Sequence, residues 1–316
     1  MSGPRHSLLY SALLPLGLVL LAGMAWQALR PGGIPVATVR QALNGVVIYL
    51  FAPALIVHAV LPARIDLELL LIPLAGLLVG AACLATALLV FVVLLRGRLS
   101  RPDAGSLVLA CAFGNGLGMA VPATSSLFDL PAARVPLMYD LLATVPMVWI
   151  LGVMVAAWLG AGKERVRPGA ALLRLPPFWA LVVALGIRAS GLGLPAAFEQ
   201  ALAMLANAAV PLLALLVGLS IRVPSNIGLL ALPLALACLI KLVLAPALAV
   251  FVATPLNIGA ASIGPLVLTA AAPSVIVGVA LAERFRLNVG LFSAALTVTT
   301  LLYLAAAPLY IGLAAR

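Results

Sequence analysis

Apolar segments long enough to cross a lipid bilayer recur along almost the whole chain. Ten segments qualify, and they occupy residues 8–29, 39–60, 68–95, 105–128, 135–159, 176–192, 197–221, 226–253, 263–284 and 288–313. A transmembrane helix needs about 20 mostly apolar residues. Only 8% of the residues are charged, whereas a soluble domain carries about 25%. The sequence therefore predicts an all-α polytopic membrane protein with ten transmembrane helices and no soluble domain.

The basic residues are distributed unevenly between the connections. Numbered along the chain, the odd connections hold twelve of the eighteen Lys and Arg residues, while the even connections and the two termini hold five. An excess of Lys and Arg marks the cytoplasmic side. We therefore expect a multi-pass protein of the plasma (inner) membrane with both termini on the non-cytoplasmic side. The net charge of +10 comes from these short loops and does not indicate nucleic-acid binding.

The chain also contains an internal repeat. LVLACA at 107–112 resembles LVLTAA at 266–271, Pro53 matches Pro211, and Pro73 matches Pro233, all at offsets of 158–160 residues. The unit holds five spans, so the second copy enters the membrane inverted, which is typical of transporters. We expect repeats at 1–160 and 176–316, joined by a cytoplasmic linker at 161–175. A cleaved signal peptide at the N-terminus is the alternative for the first span, but the repeat needs that span as a helix.

The fourth span cannot be a continuous regular helix. Gly114, Gly116 and Gly118 alternate around Asn115, and Pro122 follows. Glycine costs about 1 kcal/mol and proline about 3 kcal/mol in a helix interior. The ninth span, its counterpart in the repeat, carries Pro273 and Ser274 at mid-span. We expect helices four and nine to be broken, with breaks at Pro122 and Pro273, and to cross.

Paired broken helices are the best indication of a binding site in such a chain. The freed N–H groups at half-helix N-termini favour an anion, and the Asn115 amide offers two further donors. An interhelical hydrogen bond is the alternative role for Asn115. Hydroxyls at Thr124, Ser125 and Ser126 lie nearby, although such groups more often bond to their own helix. The predicted substrate-binding residues are Asn115, Gly114, Gly116, Gly118, Pro122, Pro273 and Ser274.

Two charged residues lie well inside apolar spans. Asp140 is in the fifth span and Lys241 in the eighth. Charges within a membrane are costly and are functional candidates by default. The two residues could act in coupling or form a structural ion pair. Neither a metal site nor a cofactor site is expected, because the three cysteines lack ligand spacing. Motifs of enzymes and of ATP-driven pumps are absent from the sequence as well.

Two long segments resemble the auxin efflux carrier family. AFGNGLGMAVPATSSLF at 112–128 is similar to the family's glycine–asparagine and proline core, and residues 269–313 resemble its last two helices. The resemblance implies ten helices in two inverted five-helix repeats, with helices four and nine crossing at their breaks. It also implies a scaffold and dimer surface formed by helices one, two, six and seven, with the other helices forming a moving transport domain. The short linker is that of a compact bacterial-type member.

The resulting functional expectation is a secondary carrier. It would move a small organic anion, such as a mono- or dicarboxylate, by elevator-like alternating access, and it would be a homodimer in the lipid bilayer. The alternative is a sodium- or proton-coupled symporter or antiporter with its ion site at the same crossover. A membrane receptor normally carries a soluble signalling domain, and an intramembrane enzyme needs catalytic motifs, so both are disfavoured. The protein is therefore not expected to be an enzyme.

Overall fold

The computed structural model describes residues 4–62, 67–162, 172–191, 193–221 and 231–314, and within these ranges it consists of helices joined by short connections, without a strand. The predicted linker and the start of the predicted eighth span lie largely outside them. The apolar segments of the sequence each contain a helix, and we label these in chain order. They are α1 (Pro4–Leu29), α2 (Val36–Val60), α3 (67–94), α4a (Arg101–Ala112), α4b (116–127), α5 (Pro131–Leu159), α6 (Pro176–Ser190), α7 (Ala196–Gly218), α8 (Ala231–Ala253), α9a (Ala260–Ala271), α9b (Val277–Arg284) and α10 (Val289–Ala314).

Six of these helices, within the described residues, are long and apolar enough to cross a membrane by length and composition. They are α2, α3, α5, α7, α8 and α10. The segments of α4 and α9 fall short because each of these helices is divided in the middle. Helix α6 has only 15 residues. The molecule is thus an all-helical, multi-pass membrane protein.

Proline positions explain most of the irregularities inside the helices. Four wide turns, in which an N–H bonds to the carbonyl five residues back, end two residues before a proline. They are Val47–Phe51 before Pro53, Gly116–Ala120 before Pro122, Asp140–Thr144 before Pro146, and Ile240–Leu244 before Pro246. Proline has no N–H, and its ring clashes with the carbonyl four residues earlier. A wide turn accommodates both defects without ending the helix.

Helix α7 packs against α1 and α2, and α2 packs against α6. The contact of α1 with α7 is close, because a Cβ atom added to Gly23 would lie 3.0 Å from the Gly218 Cα. The Gln27 side chain then donates to the Gly218 carbonyl at 2.7 Å and fixes the crossing. Small residues that let two backbones approach are the usual basis of helix packing in membranes.

The remaining helices form a second group around α4 and α9. Helix α4a packs against α3, α5 and α10, while α9a packs against α8 and α10. At one end of this group the Asn288 amide donates to Asp103 Oδ1 at 2.7 Å, and the Ser106 hydroxyl donates to the Asn288 carbonyl at 2.8 Å. These bonds tie the start of α4a to the turn before α10. The Arg101 guanidinium, donating to the Trp158 carbonyl at 2.6 Å, attaches α5 to the same end.

Candidate functional site

Helix α4 breaks between Ala112 and Gly116. Phe113 is extended, with φ −119° and ψ 125°, and Asn115 leaves the helical region at φ −93° and ψ 73° before α4b begins. The unwinding expected around Gly114 and Asn115 is thus confirmed, whereas the expected break at Pro122 is wrong in position. Pro122 lies inside α4b, where the wide turn Gly116–Ala120 accommodates its ring. The cluster of glycines, rather than the proline, ends the first half-helix.

Helix α9 breaks at the expected position. Half-helix α9a ends at Ala271, Ala272 is extended with ψ 139°, and α9b begins at Val277. Pro273 and Ser274 therefore occupy the gap between the two halves. Half-helices α4a and α9a have 12 residues each. At a rise of 1.5 Å per residue they are about 18 Å long, so both breaks lie near the middle of a hydrocarbon core of about 30 Å.

The two breaks pair with each other through their backbones. The Asn115 N–H donates to the Pro273 carbonyl at 2.7 Å, and the Val275 N–H donates to the Phe113 carbonyl at 3.1 Å. The resulting antiparallel bridge joins Gly114 to Ser274. Unwound backbone at membrane depth needs such partners, because no water is present in hydrocarbon. Helices α4 and α9 therefore cross at their breaks.

Ser274 is enclosed at the centre of this crossing. Its hydroxyl donates to the Ala110 carbonyl at 2.9 Å, and its N–H donates to the Thr299 hydroxyl at 3.3 Å. Both polar groups are thus satisfied within the protein, and the side chain is fully buried. Thr299 of α10 was not identified from the sequence, because it lies in an unbroken apolar helix without a local signal.

Asn115 is the N-cap of α4b, and one half of its amide lacks a partner. The Oδ1 atom accepts the Gly118 N–H at 3.0 Å. The Nδ2 group is buried and has no hydrogen-bond partner within the described residues, and the whole side chain is only 7% exposed. A buried donor left unsatisfied costs about 1–3 kcal/mol. Gly118 is required here, since a Cβ atom on it would lie 2.5 Å from Asn115 Oδ1.

Two more polar groups on α4b are unpaired in the described part of the chain. The Thr124 Oγ1 atom and the Ser125 Oγ atom are buried without a hydrogen-bond partner. The expectation that these hydroxyls bond to their own helix is therefore not met. Together with Asn115 Nδ2, they give this half-helix three unsatisfied polar groups, an unusual concentration for a buried element.

Asp140 of α5 lies beside the start of α4b. Its Oδ2 atom accepts the Leu117 N–H at 3.0 Å, and a Cβ atom on Gly116 would lie 2.6 Å from the Asp140 Cγ. The residue is 6% exposed. A carboxylate at a helix N-terminus is stabilised by the free N–H groups and by the helix dipole. Asp140 thus places a carboxyl group at the positive end of α4b.

Lys241 of α8 lies on the other side of the same break. A Cβ atom on Gly114 would lie 2.9 Å from Lys241 Nζ, and the lysine is 4% exposed. Lys241 and Asp140 interact electrostatically, but they are not in direct contact as an ion pair within the described residues. The backbone of α4 separates them instead, with Lys241 beside Gly114 and Asp140 beside Gly116.

Close packing of α3 on α5 supports the Asp140 side of the site. A Cβ atom on Gly76 would lie 2.8 Å from the Ala143 Cβ, and one on Gly80 would lie 2.9 Å from the Met147 sulfur. These two glycines are four residues apart, the spacing of a small-residue contact between membrane helices. The sequence analysis did not use this spacing, although it was visible in the sequence.

Two broken apolar helices that cross at their breaks, beside an unpaired amide, are typical of membrane transport proteins. Comparison with known families agrees with this class, since the family model described as membrane transport protein matches residues 8–173 and 169–311. The chain belongs to this family, the auxin efflux carrier family. It is also similar to an uncharacterized transporter of Methanothermobacter thermautotrophicus, with 27% identity over 274 residues, covering 85% of this chain and 87% of that protein. The protein is therefore a membrane transport protein.

Proposed function

We propose that this protein is a secondary carrier for a small organic anion, a mono- or dicarboxylate, which binds where α4 and α9 cross. The carrier works by alternating access of an elevator type. The group formed by α1, α2, α6 and α7 is the scaffold, and the helices around the crossing form the moving part. Its ten helices are arranged as two inverted repeats of five.

Two observations support the inverted repeat. Half-helices α4a and α9a have the same length, and their first residues, Arg101 and Ala260, are 159 residues apart, as are their last. This offset equals the one that relates LVLACA to LVLTAA in the sequence. The bridge between Gly114 and Ser274 is antiparallel, which is the direction expected when one repeat is inverted relative to the other.

The main support for an anionic substrate is the unpaired Nδ2 group of Asn115. A buried donor without an acceptor favours a ligand that brings acceptors, and a carboxylate brings only acceptors. The charge-assisted bond would be shorter and stronger than a neutral one. The hydroxyls of Thr124 and Ser125 are further unpaired groups on the same half-helix.

The proposal includes the cellular location of the protein and its assembly as a homodimer. The excess of basic residues in the odd connections favours a plasma (inner) membrane protein with both termini outside. Large apolar side chains are exposed on the scaffold helices, among them Tyr49, Trp179, Phe198 and Met204. A homodimer through these helices would cover part of that surface, and lipid would cover the rest.

A ligand screen on the purified protein tests the substrate class. A ligand that binds only the folded state raises the unfolding temperature in proportion to the logarithm of its concentration. We expect one or more small mono- or dicarboxylates to raise it, and the corresponding neutral amides to leave it unchanged. Amides that stabilise as well as their acids, or a panel of carboxylates without effect, would contradict the proposal.

The second candidate is coupling of transport to an ion gradient at the same crossing. The observation that favours it is the buried carboxylate of Asp140, placed 3.0 Å from a backbone N–H of the break. Proteoliposomes with an imposed proton, sodium or voltage gradient, applied one at a time, distinguish coupled from uncoupled transport. Uptake that responds to none of the three gradients would exclude coupling.

A further inference from the structure

Lys241 is buried and forms no hydrogen bond or ion pair within the part of the chain that the structure describes. It belongs to the wide turn Ile240–Leu244 of α8. A cavity of about 10 Å³, lined by Cys83, Tyr139, Thr144 and Lys241 among others, adjoins it. That volume holds about one water molecule at most. A buried ammonium that is so poorly solvated needs another source of stabilisation.

The C-terminal ends of two half-helices lie close to the ammonium. The Cβ position of Gly114 lies 2.9 Å from Lys241 Nζ and 3.2 Å from the Ala272 carbonyl oxygen. Gly114 comes just after α4a, and Ala272 comes just after α9a. The ammonium therefore lies where the C-terminal ends of both first halves meet. Each such end carries about −0.5 of an elementary charge, so together they attract about one positive charge.

In carriers built from broken helices, this is the position of the coupling cation. Unwound carbonyls and the C-terminal ends of half-helices coordinate sodium or a proton there, while the N-terminal ends face the anionic substrate. Here the N-terminal end of α4b is occupied by Asp140, whose Oδ2 accepts the Leu117 N–H. The C-terminal end of α4a is next to Lys241. Each helix end at the break thus lies beside a side chain of the protein that can carry the opposite charge.

We propose that the Lys241 ammonium takes the place of a coupling sodium ion at the crossing of α4 and α9. The inference rests on the proposed function, because it assumes that this crossing is the transport site. Its consequence is that sodium does not bind beside Gly114 in the parent protein. Removing the lysine side chain would leave the carbonyl ends without a positive charge and would open a site for a free cation.

Two substitutions separate charge from volume. Lys241→Ser removes the ammonium and leaves space, so sodium can enter, whereas Lys241→Met removes the ammonium but fills the space. We expect the unfolding temperature of purified Lys241→Ser to be about 2–4 °C higher in sodium chloride than in choline chloride, with saturation as sodium is raised. The unfolding temperature of the parent should be the same in both salts. The unfolding temperature of Lys241→Met should likewise not depend on the salt. This measurement needs no substrate, so it remains valid if the proposed anion is wrong.

Transport provides the second readout. The transport rate of the parent should be the same in sodium and in choline. The rate of Lys241→Met should be at least about tenfold lower than that of the parent in both salts. Lys241→Ser should be active in sodium alone. Stabilisation of the parent by sodium would overturn the inference, as would Lys241→Met with parental activity. If Lys241→Ser does not fold, the transport rate of Lys241→Met tests the inference. Methionine is neutral and similar in volume to lysine, so it can replace the lysine only if the lysine charge has no role in transport.

Discussion

The unpaired donor on Asn115 makes an unusual prediction, because the same group should weaken the fold and strengthen binding. Asn115→Ser keeps a side-chain oxygen to cap α4b, and serine and asparagine are about equally good N-caps. The substitution removes Nδ2, which is buried without a partner at a cost of about 1–3 kcal/mol. We therefore expect the serine variant to be at least as stable as the parent without ligand.

Binding should change in the opposite direction. The variant loses one hydrogen bond to a charged ligand, worth about 1.5–3 kcal/mol, and a factor of ten corresponds to about 1.4 kcal/mol. The affinity for the stabilising carboxylate should fall about tenfold to a hundredfold. Equilibrium titration of the purified proteins measures this change, and thermal unfolding without ligand measures the stability.

Asn115→Asp is the matched control. It keeps both the size of the side chain and its capping oxygen, but it adds a carboxylate close to Asp140 and to the bound anion. It should bind more weakly than the serine variant. Serine and aspartate variants with parental affinity would show that Asn115 does not face the substrate. If the binding free energy and the free energy of unfolding of the serine variant fall by the same amount, Asn115 has a structural role.

The remaining predictions concern the neighbours of this amide and the orientation of the chain. Gly118→Ala should weaken binding without changing any charge, because its Cβ would lie 2.5 Å from the capping oxygen; affinity equal to that of the parent in the same titration would contradict the geometry of the cap. Asp140→Asn and Lys241→Met should be non-additive by about 0.5–3 kcal/mol in a double-mutant cycle of unfolding, since the two charges interact across the break; simple additivity would mean that they are independent. In a background without cysteines, a cysteine replacing Arg98 should be shielded from an impermeant reagent added outside, and one replacing Asp129 should react; the reverse pattern would refute the predicted orientation.

Much of the architecture was predictable from the sequence, because a bilayer allows few solutions. Residues in hydrocarbon must satisfy their backbone groups within a helix, so apolar length alone located the helices. The break in α9 was found at Pro273 and Ser274, as the structure has it. The repeat offset of 159 also correctly indicated which two helices are broken.

The position of the break in α4 was not predicted correctly, because two helix breakers compete there. Three glycines and Pro122 all disfavour a regular helix, and propensity alone ranks proline first. The structure keeps Pro122 within a helix by widening the preceding turn. Four of the wide turns come before a proline in this way. Such a turn depends on support from neighbouring helices, so helix propensities of single residues do not predict it.

The arrangement of charges was only partly predictable. Asp140 and Lys241 were identified because charges are rare within apolar spans. Their separation by the backbone of Gly114 and Gly116 depends on three-dimensional placement, and the sequence left direct pairing open. The partners of Ser274 are also tertiary, since Ala110 and Thr299 come from different helices.

Counterflow in proteoliposomes tests the proposed transport at the crossing most directly. Vesicles containing the parent protein are loaded with an unlabelled carboxylate that stabilises it, and they are then diluted into a trace of the same compound in labelled form. The parent should accumulate label transiently, and Asn115→Ser, reconstituted to the same density, should do so at least about tenfold more slowly at subsaturating concentration. Absence of counterflow by a folded parent, or equal rates for parent and variant, would contradict carboxylate transport through this crossing.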